Sequence, residues 1–181
     1  GVEVLVLSDR PTAVSKNSIE TTTYIPPNLA VGAVHHALIK AKVRMDAGII
    51  IETGAAWTTH HFATLVGYGA HAVHPYVGIE SVSQWYESSN TQSKVSSGKL
   101  SLSLSDAQSN FQTSIENGLL KILSKIGISL LSSYHGAQIF ECIGLGHDVI
   151  AKGFKGTTSR IGGLSLPELA VETVSMRPED S

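Results

Sequence analysis

Apolar positions along the chain fall into two alternating kinds of stretch. Short, nearly unbroken apolar runs occupy residues 2–7 (VEVLVL), 47–53 (AGIIIET), 70–76 (AHAVHPY) and 128–132 (ISLLS). Runs of this length and continuity predict strands of a parallel sheet buried on both faces. Between them, apolar residues recur every three or four positions, the spacing of one helix face. Val31, Val34, Leu38 and Ala41 share such a face over 26–42, and Phe62, Leu65 and Val66 over 58–68. Ile79, Val82 and Tyr86 mark a further helix, in which Trp85 reads as a packing residue.

The strongest periodicity runs through Phe111, Ile115, Leu119, Ile122 and Ile126, with Glu116, Lys121 and Lys125 off the stripe. Ser105 with Gln108 three residues on fits a capping box at its start. Gly127 supplies a left-handed stop. Pro26 and Pro27 suit the opening of the first helix, where Ala30, Gly32, Ala33 and Ala37 allow a close neighbour. Residues 137–143 and 147–154 read as short helices around Gly144 and Gly146. Residues 166–176 form a last helix with Ser165 as cap, Pro167 in the first turn and Glu168 following.

Two segments lack either pattern. Residues 11–24 read as a Thr/Ser-rich loop, and 88–104, rich in Ser, Asn, Gln and Lys, as a mobile surface excursion with one short edge strand. The remainder is a strand-then-helix series with about four parallel strands. A closed eight-stranded barrel takes roughly 250 residues, so 181 residues make either part of a barrel or a reduced, barrel-like domain.

Composition narrows the classes. With 42% hydrophobic and 15% charged residues the chain can bury a sizeable core as one domain. A formal charge of -2 and no dense Lys/Arg cluster argue against a nucleic-acid partner. No apolar run approaches the roughly 18 residues of a membrane span. The single Cys142 excludes an internal disulfide and any iron-sulfur cluster held by several thiolates of this chain alone. It reads as a small buried hydrophobe on an apolar helix. A strand-like start at Gly1 with no leader pattern reads as a piece of a longer polypeptide.

Candidate chemistry gathers at predicted strand ends. Ser8, Asp9 and Arg10 follow the first strand, and Glu52 and Thr53 end the second. In α/β folds ligands bind beyond the carboxyl ends of strands, although an ion pair bracing a loop uses the same residue types. The His35-His36 and His60-His61 pairs invite a metal reading. Adjacent helical residues point about 100° apart, and neither pair has an HExxH partner, so hydrogen bonding at a helix-sheet junction is the better account. Gly156, Thr157, Thr158, Ser159 and Arg160, continuing to Gly163, form a candidate phosphate loop, though neither GxxxxGK[ST] nor GxGxxG is met. In Gly144-Leu-Gly146 the last dinucleotide-motif glycine is replaced by Val149. Ser132, Ser133, Tyr134 and His135 lack the elbow and the acidic partner of a hydrolase.

The wording of several of these stretches is specific. GLLKILSKIGISLLSSYHGAQIFECIGLG (118–146), FKGTTSRIGGLS (154–165), LVLSDR (5–10), IPPNLAVGAVHHALI (25–39) and IIIETGAAWTTHHFATLVGYGA (49–70) closely resemble, in order, the central domain of glutamate synthases, and most of all the ferredoxin-dependent type. The family often has a third His where this chain has Ala37, and Arg or Cys where it has His135. The resemblance implies an α/β, incomplete (β/α) barrel-like domain with mostly parallel strands over 1–176, with a variable insertion at about 88–104, and 177–181 read as a frayed tail or the start of a linker.

Functionally, it implies the segment that joins a glutaminase domain, which releases ammonia through a cysteine nucleophile, to an FMN domain where 2-oxoglutarate becomes glutamate. Electrons would arrive from ferredoxin through a 3Fe-4S cluster. FMN, the cluster and the catalytic cysteine belong to other parts of such an enzyme, leaving this segment no catalytic or metal-binding residues. Ser8, Asp9, Arg10, Glu52 and Thr53 are then expected at a domain interface or along an ammonia tunnel. Plastid stroma or cyanobacterial cytoplasm is the implied location. The rival reading is a stand-alone βα domain that binds a phosphorylated ligand or flavin phosphate through residues 156–163.

Overall fold

A computed structural model describes residues 3–10 and 24–176. The expected loop over most of 11–24 and the expected tail at 177–181 lie outside the described residues. The chain opens with β1 (Val4–Ser8), α1 (Pro27–Lys40), a single 3-10 turn (Arg44–Asp46), β2 (Gly48–Glu52), α2 (Thr59–Gly67) and β3 (Ala72–His74). Next come α3 (Tyr76–Glu87), α4 (Ser89–Ser96), α5 (Leu104–Ile126) and α6 (Leu131–Tyr134). It finishes with β4 (Glu141–Leu145), α7 (His147–Gly153), β5 (Thr158–Leu164) and α8 (Leu166–Ser175).

The first three strands make a parallel sheet in the order β1-β2-β3, with Val6 opposite Ile50 and Ile50 opposite Ala72. Strands β4 and β5 pair in parallel as a second, two-stranded sheet around α7. The strands are parallel and no barrel closes among the described residues, which agrees with an incomplete α/β domain.

Register decides what each sheet face does. Leu7, Ile51 and Val73 meet Val31 of α1, Phe62 and Leu65 of α2, and Ile115 and Leu119 of α5, forming the main core. Val4, Val6 and Ser8 stand beside Gly48, Ile50 and Glu52, and beside Ala72 and His74, on the opposite face. No helix covers that face among the described residues: Val4 is 51% and Val6 62% exposed. The expectation of two-sided burial for the first strand is therefore corrected. Its unbroken apolar run is present, but protein packs on one side of it only. The second sheet repeats the pattern, with Ile143 (69%) and Ile161 (60%) paired in register and open.

Helix α1 packs on α7 through backbone contact. A Cβ on Gly32 would overlap the Gly153 carbonyl oxygen, so the close approach expected from the small residues of α1 is made to α7. Helix α5 runs 23 residues, and Gly127 ends it at φ 74°. Its capping box is formed by Ser103 and Asp106, not Ser105 and Gln108. Both pairs satisfy the spacing, and the aspartate carboxylate, as a charged acceptor near the positive helix start, takes the cap. Ser165 and Glu168 cap α8 as expected.

Four further expectations are corrected. The short edge strand expected within 88–104 is not formed: residues 89–96 make α4, a Ser/Gln/Lys run closing helical hydrogen bonds, 100–103 are irregular, and α5 begins at Leu104. Residues 128–132 do not form a strand. The chain bends there into α6, which carries Tyr134 (1% exposed) into a cluster with Val66 and Leu123 while leaving Leu130 at 62% exposure. The predicted helix at 137–143 is absent: 137–140 are irregular and lead into β4, where Cys142 is buried between exposed Glu141 and Ile143, the period-two signature of a strand. Cys142 is thus a buried strand residue, and burial pushes its thiol pKa up. Trp85 is 51% exposed and contributes little to the core.

Candidate functional site

The carboxyl ends of β1 and β2 lie side by side, so the two polar clusters that follow them meet. Ser8 is in register with Glu52, and its Oγ donates to Glu52 Oε2 over 2.6 Å. The Arg10 backbone N–H donates to Ser8 Oγ (3.2 Å), and the Arg10 guanidinium reaches Glu52 Oε1 through Nε at 3.0 Å. His74, at the end of β3, stands 3.9 Å from the same oxygen. The Arg10 guanidinium carbon also lies 4.2 Å from the centre of the Tyr76 ring, a cation-π contact.

Behind this exposed rim is a tighter inner layer. Thr53 is fully buried, and its hydroxyl donates to Asp9 Oδ2 over 2.5 Å while accepting the Ala55 N–H at 3.0 Å. The Gly54 N–H donates to both Asp9 carboxylate oxygens at 3.1 Å. Asp9 thus ties the turn after β2 to the end of β1 through one hydroxyl and one backbone N–H. Burial, with Asp9 as hydrogen-bond partner and nearby negative charge, raises the Tyr76 phenol above its usual range. All five strand-end residues are brought together, with His74 and Tyr76 added by β3 and α3. Chemically, the rim is an Arg-Glu-Ser network at the edge of the uncovered sheet face, and it presents both a cation and an anion.

The histidine pairs separate. His61 Nδ1 accepts the Trp57 N–H (3.1 Å), while His60 is exposed. His35 belongs to a cluster that sequence spacing does not reveal. Arg44, in the turn before β2, donates through Nε to His35 Nδ1 (2.8 Å) and through its other nitrogens to the Ala47 (3.0 Å) and Gly69 (2.9 Å) carbonyls. His71 accepts the Ile49 N–H on Nδ1 at 3.1 Å, and its ring packs edge-on to His135 at 5.0 Å. Burial first, then the Arg44 charge and the neighbouring imidazoles, lowers the His35 pKa to about 4. Burial also leads the lowering at His71 and at His135. These rings are neutral near pH 7. A cation at 44, three rings at 35, 71 and 135, and no sequence proximity left this cluster without a signal.

The glycine-rich run is no single loop. Thr158, Ser159 and Arg160 lie in β5, and Arg160 pairs with Glu141 of β4 at 3.2 Å. β-pairing occupies that backbone, which corrects the loop expectation for 158–163. Gly156 and Thr157 stay outside the strand, and Thr157 is hydrogen-bonded side chain to side chain with Tyr68 at 3.0 Å. Among the described residues no three or more His, Cys, Asp or Glu side chains cluster around a possible ion position, and no helix is long and apolar enough to cross a membrane.

Against known proteins, residues 1–146 match the family model described as the glutamate synthase central domain. The chain is 53% identical over 175 residues to ferredoxin-dependent glutamate synthase 2 of Synechocystis sp., covering 96% of this chain and 11% of that protein. It is 54% identical over 170 residues to the ferredoxin-dependent glutamate synthase of Antithamnion sp. (93% and 11%). With the chloroplastic ferredoxin-dependent enzyme of Spinacia oleracea it shares 49% over 176 residues (97% and 11%). The chain thus spans about a ninth of the length of the curated relatives it matches. An aligned stretch this long, at half identity and over strands, helices and strand-end cluster alike, places the chain in the glutamate synthase central domain family.

Proposed function

We propose that this chain is the connecting segment of a ferredoxin-dependent glutamate synthase, in which glutamine, 2-oxoglutarate and reduced ferredoxin yield two glutamates. The segment holds a glutaminase domain and an FMN domain in register and helps enclose the path of ammonia between them. The observation that carries this reading is the near-complete alignment of the chain to about a ninth of several ferredoxin-dependent enzymes. The relatives' chloroplastic and cyanobacterial origins favour a plastid or a cyanobacterial cytoplasm for the whole protein.

Two physical features support a connecting role. Apolar faces of both sheets are uncovered, as expected where neighbouring domains pack. The Ser8-Arg10-Glu52 rim borders one of them, so polar groups able to pair across a domain boundary sit beside an apolar patch, the anatomy of an interface. A closed path has a clear benefit, because ammonia released into water is protonated and diluted, whereas an enclosed one stays close to its acceptor. The chain's residues do not fit the iron-sulfur group: a cluster needs several thiolates, and the one cysteine is buried with a raised pKa.

The test is coupling in the full-length enzyme. Arg10→Gln with Glu52→Gln should raise glutamine hydrolysed per glutamate formed while each half-reaction retains its rate. An unchanged ratio would remove these residues from the interface or tunnel.

A further inference from the structure

Two stretches far apart in the sequence, the His35-His36 pair on α1 and the link Lys155-Gly156-Thr157 before β5, meet across a cavity of about 170 Å³. Tyr68 from the end of α2 and Gln138 from the segment before β4 complete its polar lining. No carboxylate lines it, and Lys155 has no acidic partner within ion-pair reach among the described residues.

Ile39 and Phe140 give the cavity an apolar part, and the polar side chains set among them can each donate a hydrogen bond. Arg44 Nε donates to His35 Nδ1, so the neutral ring carries its proton on Nε2. The Tyr68-Thr157 hydrogen bond uses one of their two O–H groups and leaves the other for a third group, for which the Cys142 thiol beside Tyr68 competes with a ligand in the cavity. Burial pushes the Tyr68 pKa up to about 12, which keeps that proton in place. Lys155 supplies a full positive charge, and burial followed by that charge lowers the His36 pKa, so the two side chains stand in each other's field. Gln138 holds a left-handed backbone at φ 53°, uncommon for a residue with a side chain, and its amide occupies the space a Cβ on Gly156 would need.

Donors plus one cation and no acceptor charge match an anion with several oxygens. Size narrows the class: the cavity is near that of a cavity known to hold a benzene-sized guest, roughly 150 Å³, and well under the roughly 300 Å³ where cofactor sites begin. A flavin or nucleotide is too large. We propose that this cavity binds a small oxyanion, inorganic phosphate or a short carboxylate, through Lys155, His36, Thr157, Tyr68 and Gln138. The site stands apart from the strand-end rim and does not depend on the connecting role.

The test is lysine reactivity, read peptide by peptide in the full-length protein that contains this chain. Reductive methylation of Lys155 is followed by mass spectrometry in inorganic phosphate, in acetate or succinate, and in chloride at matched ionic strength, with Lys94 and Lys121 as internal controls. Saturable slowing of Lys155 by at least roughly threefold, expected once ligand exceeds its dissociation constant a few times over, supports the site, and the effective anion identifies the source. Loss of that protection in Thr157→Val and His36→Gln supports it further. Equal rates in every anion overturn the proposal, as does protection that survives both substitutions unchanged.

Discussion

Thr53 and Asp9, 44 residues apart in sequence, are joined by a 2.5 Å hydrogen bond from the threonine hydroxyl to the aspartate carboxylate. This bond ties the turn after β2 to the end of β1, and the same hydroxyl accepts the Ala55 N–H. Thr53→Val keeps the shape and removes both bonds, leaving a carboxylate with one donor fewer in a partly buried place. A loss of about 2 kcal/mol in unfolding free energy is expected, whereas Thr53→Ser should cost well under half of that. Chemical denaturation of the pair of variants distinguishes the hydroxyl from mere packing, and equal losses would deny the bond its role.

The cap of α5 gives a second prediction. Ser103→Ala should lower stability by about 1 kcal/mol, because it removes the hydroxyl that accepts the Asp106 N–H and donates to the Asp106 carboxylate, leaving only the bond from the residue-103 backbone N–H. Ser105→Ala, inside the first turn, should change stability by less than about 0.5 kcal/mol, since alanine is the better helix former. The reverse ranking in thermal melts would restore the Ser105 cap that the spacing alone allows.

At Gly32 two effects oppose each other. Alanine in a helix interior is favoured over glycine by about 1 kcal/mol, but its Cβ would overlap the Gly153 carbonyl oxygen and force α1 and α7 apart. Overpacking of this kind costs about 1–3 kcal/mol before relaxation of a rigid backbone contact is counted. Gly32→Ala is therefore expected to destabilise, while Ala37→Gly on the exposed side of the same helix should cost only the propensity difference. A neutral Gly32→Ala melt would mean the helices separate freely.

Acid should act through the histidines around Arg44. The folded pKa of His35 lies at about 4, below the ordinary 6.5, and those of His71 and His135 are also lowered. The unfolded chain then binds more protons than the native one between about pH 6.5 and 4, so stability falls as pH drops through that window and is fully present above it. His35→Gln should flatten the slope of melting free energy against pH by up to about one proton. A slope identical to the parent would place the acid sensitivity elsewhere.

Legibility followed the length and regularity of each pattern. The stripe from Phe111 to Ile122 spans several turns, and Gly127 closes it, so α5 was readable apart from a two-residue shift of its cap. The strand ends were readable as places where polar residues close an apolar run, but the register that sets Ser8 beside Glu52 was not. Short runs were not. Ile139-Phe140-Glu141-Cys142-Ile143 satisfies a helical and an extended pattern over so few residues, and only pairing with residues 158–164 chooses between them. The Arg44 cluster depends on where α1, β2 and β3 stand in space, which no local spacing encodes. Likewise, β1's apolar run promised cover on two sides, and what would cover Val4 and Val6 is no helix of the described residues.

That bare side of the β1-β2-β3 sheet has a bearing on self-association. Wherever nothing else packs there, Val4, Val6 and Ile50 face water beside β1, which among the described residues is an edge strand able to recruit an extended neighbour. Produced by itself, the piece should stick to copies of itself, and placing lysine at Val6 should keep it dispersed.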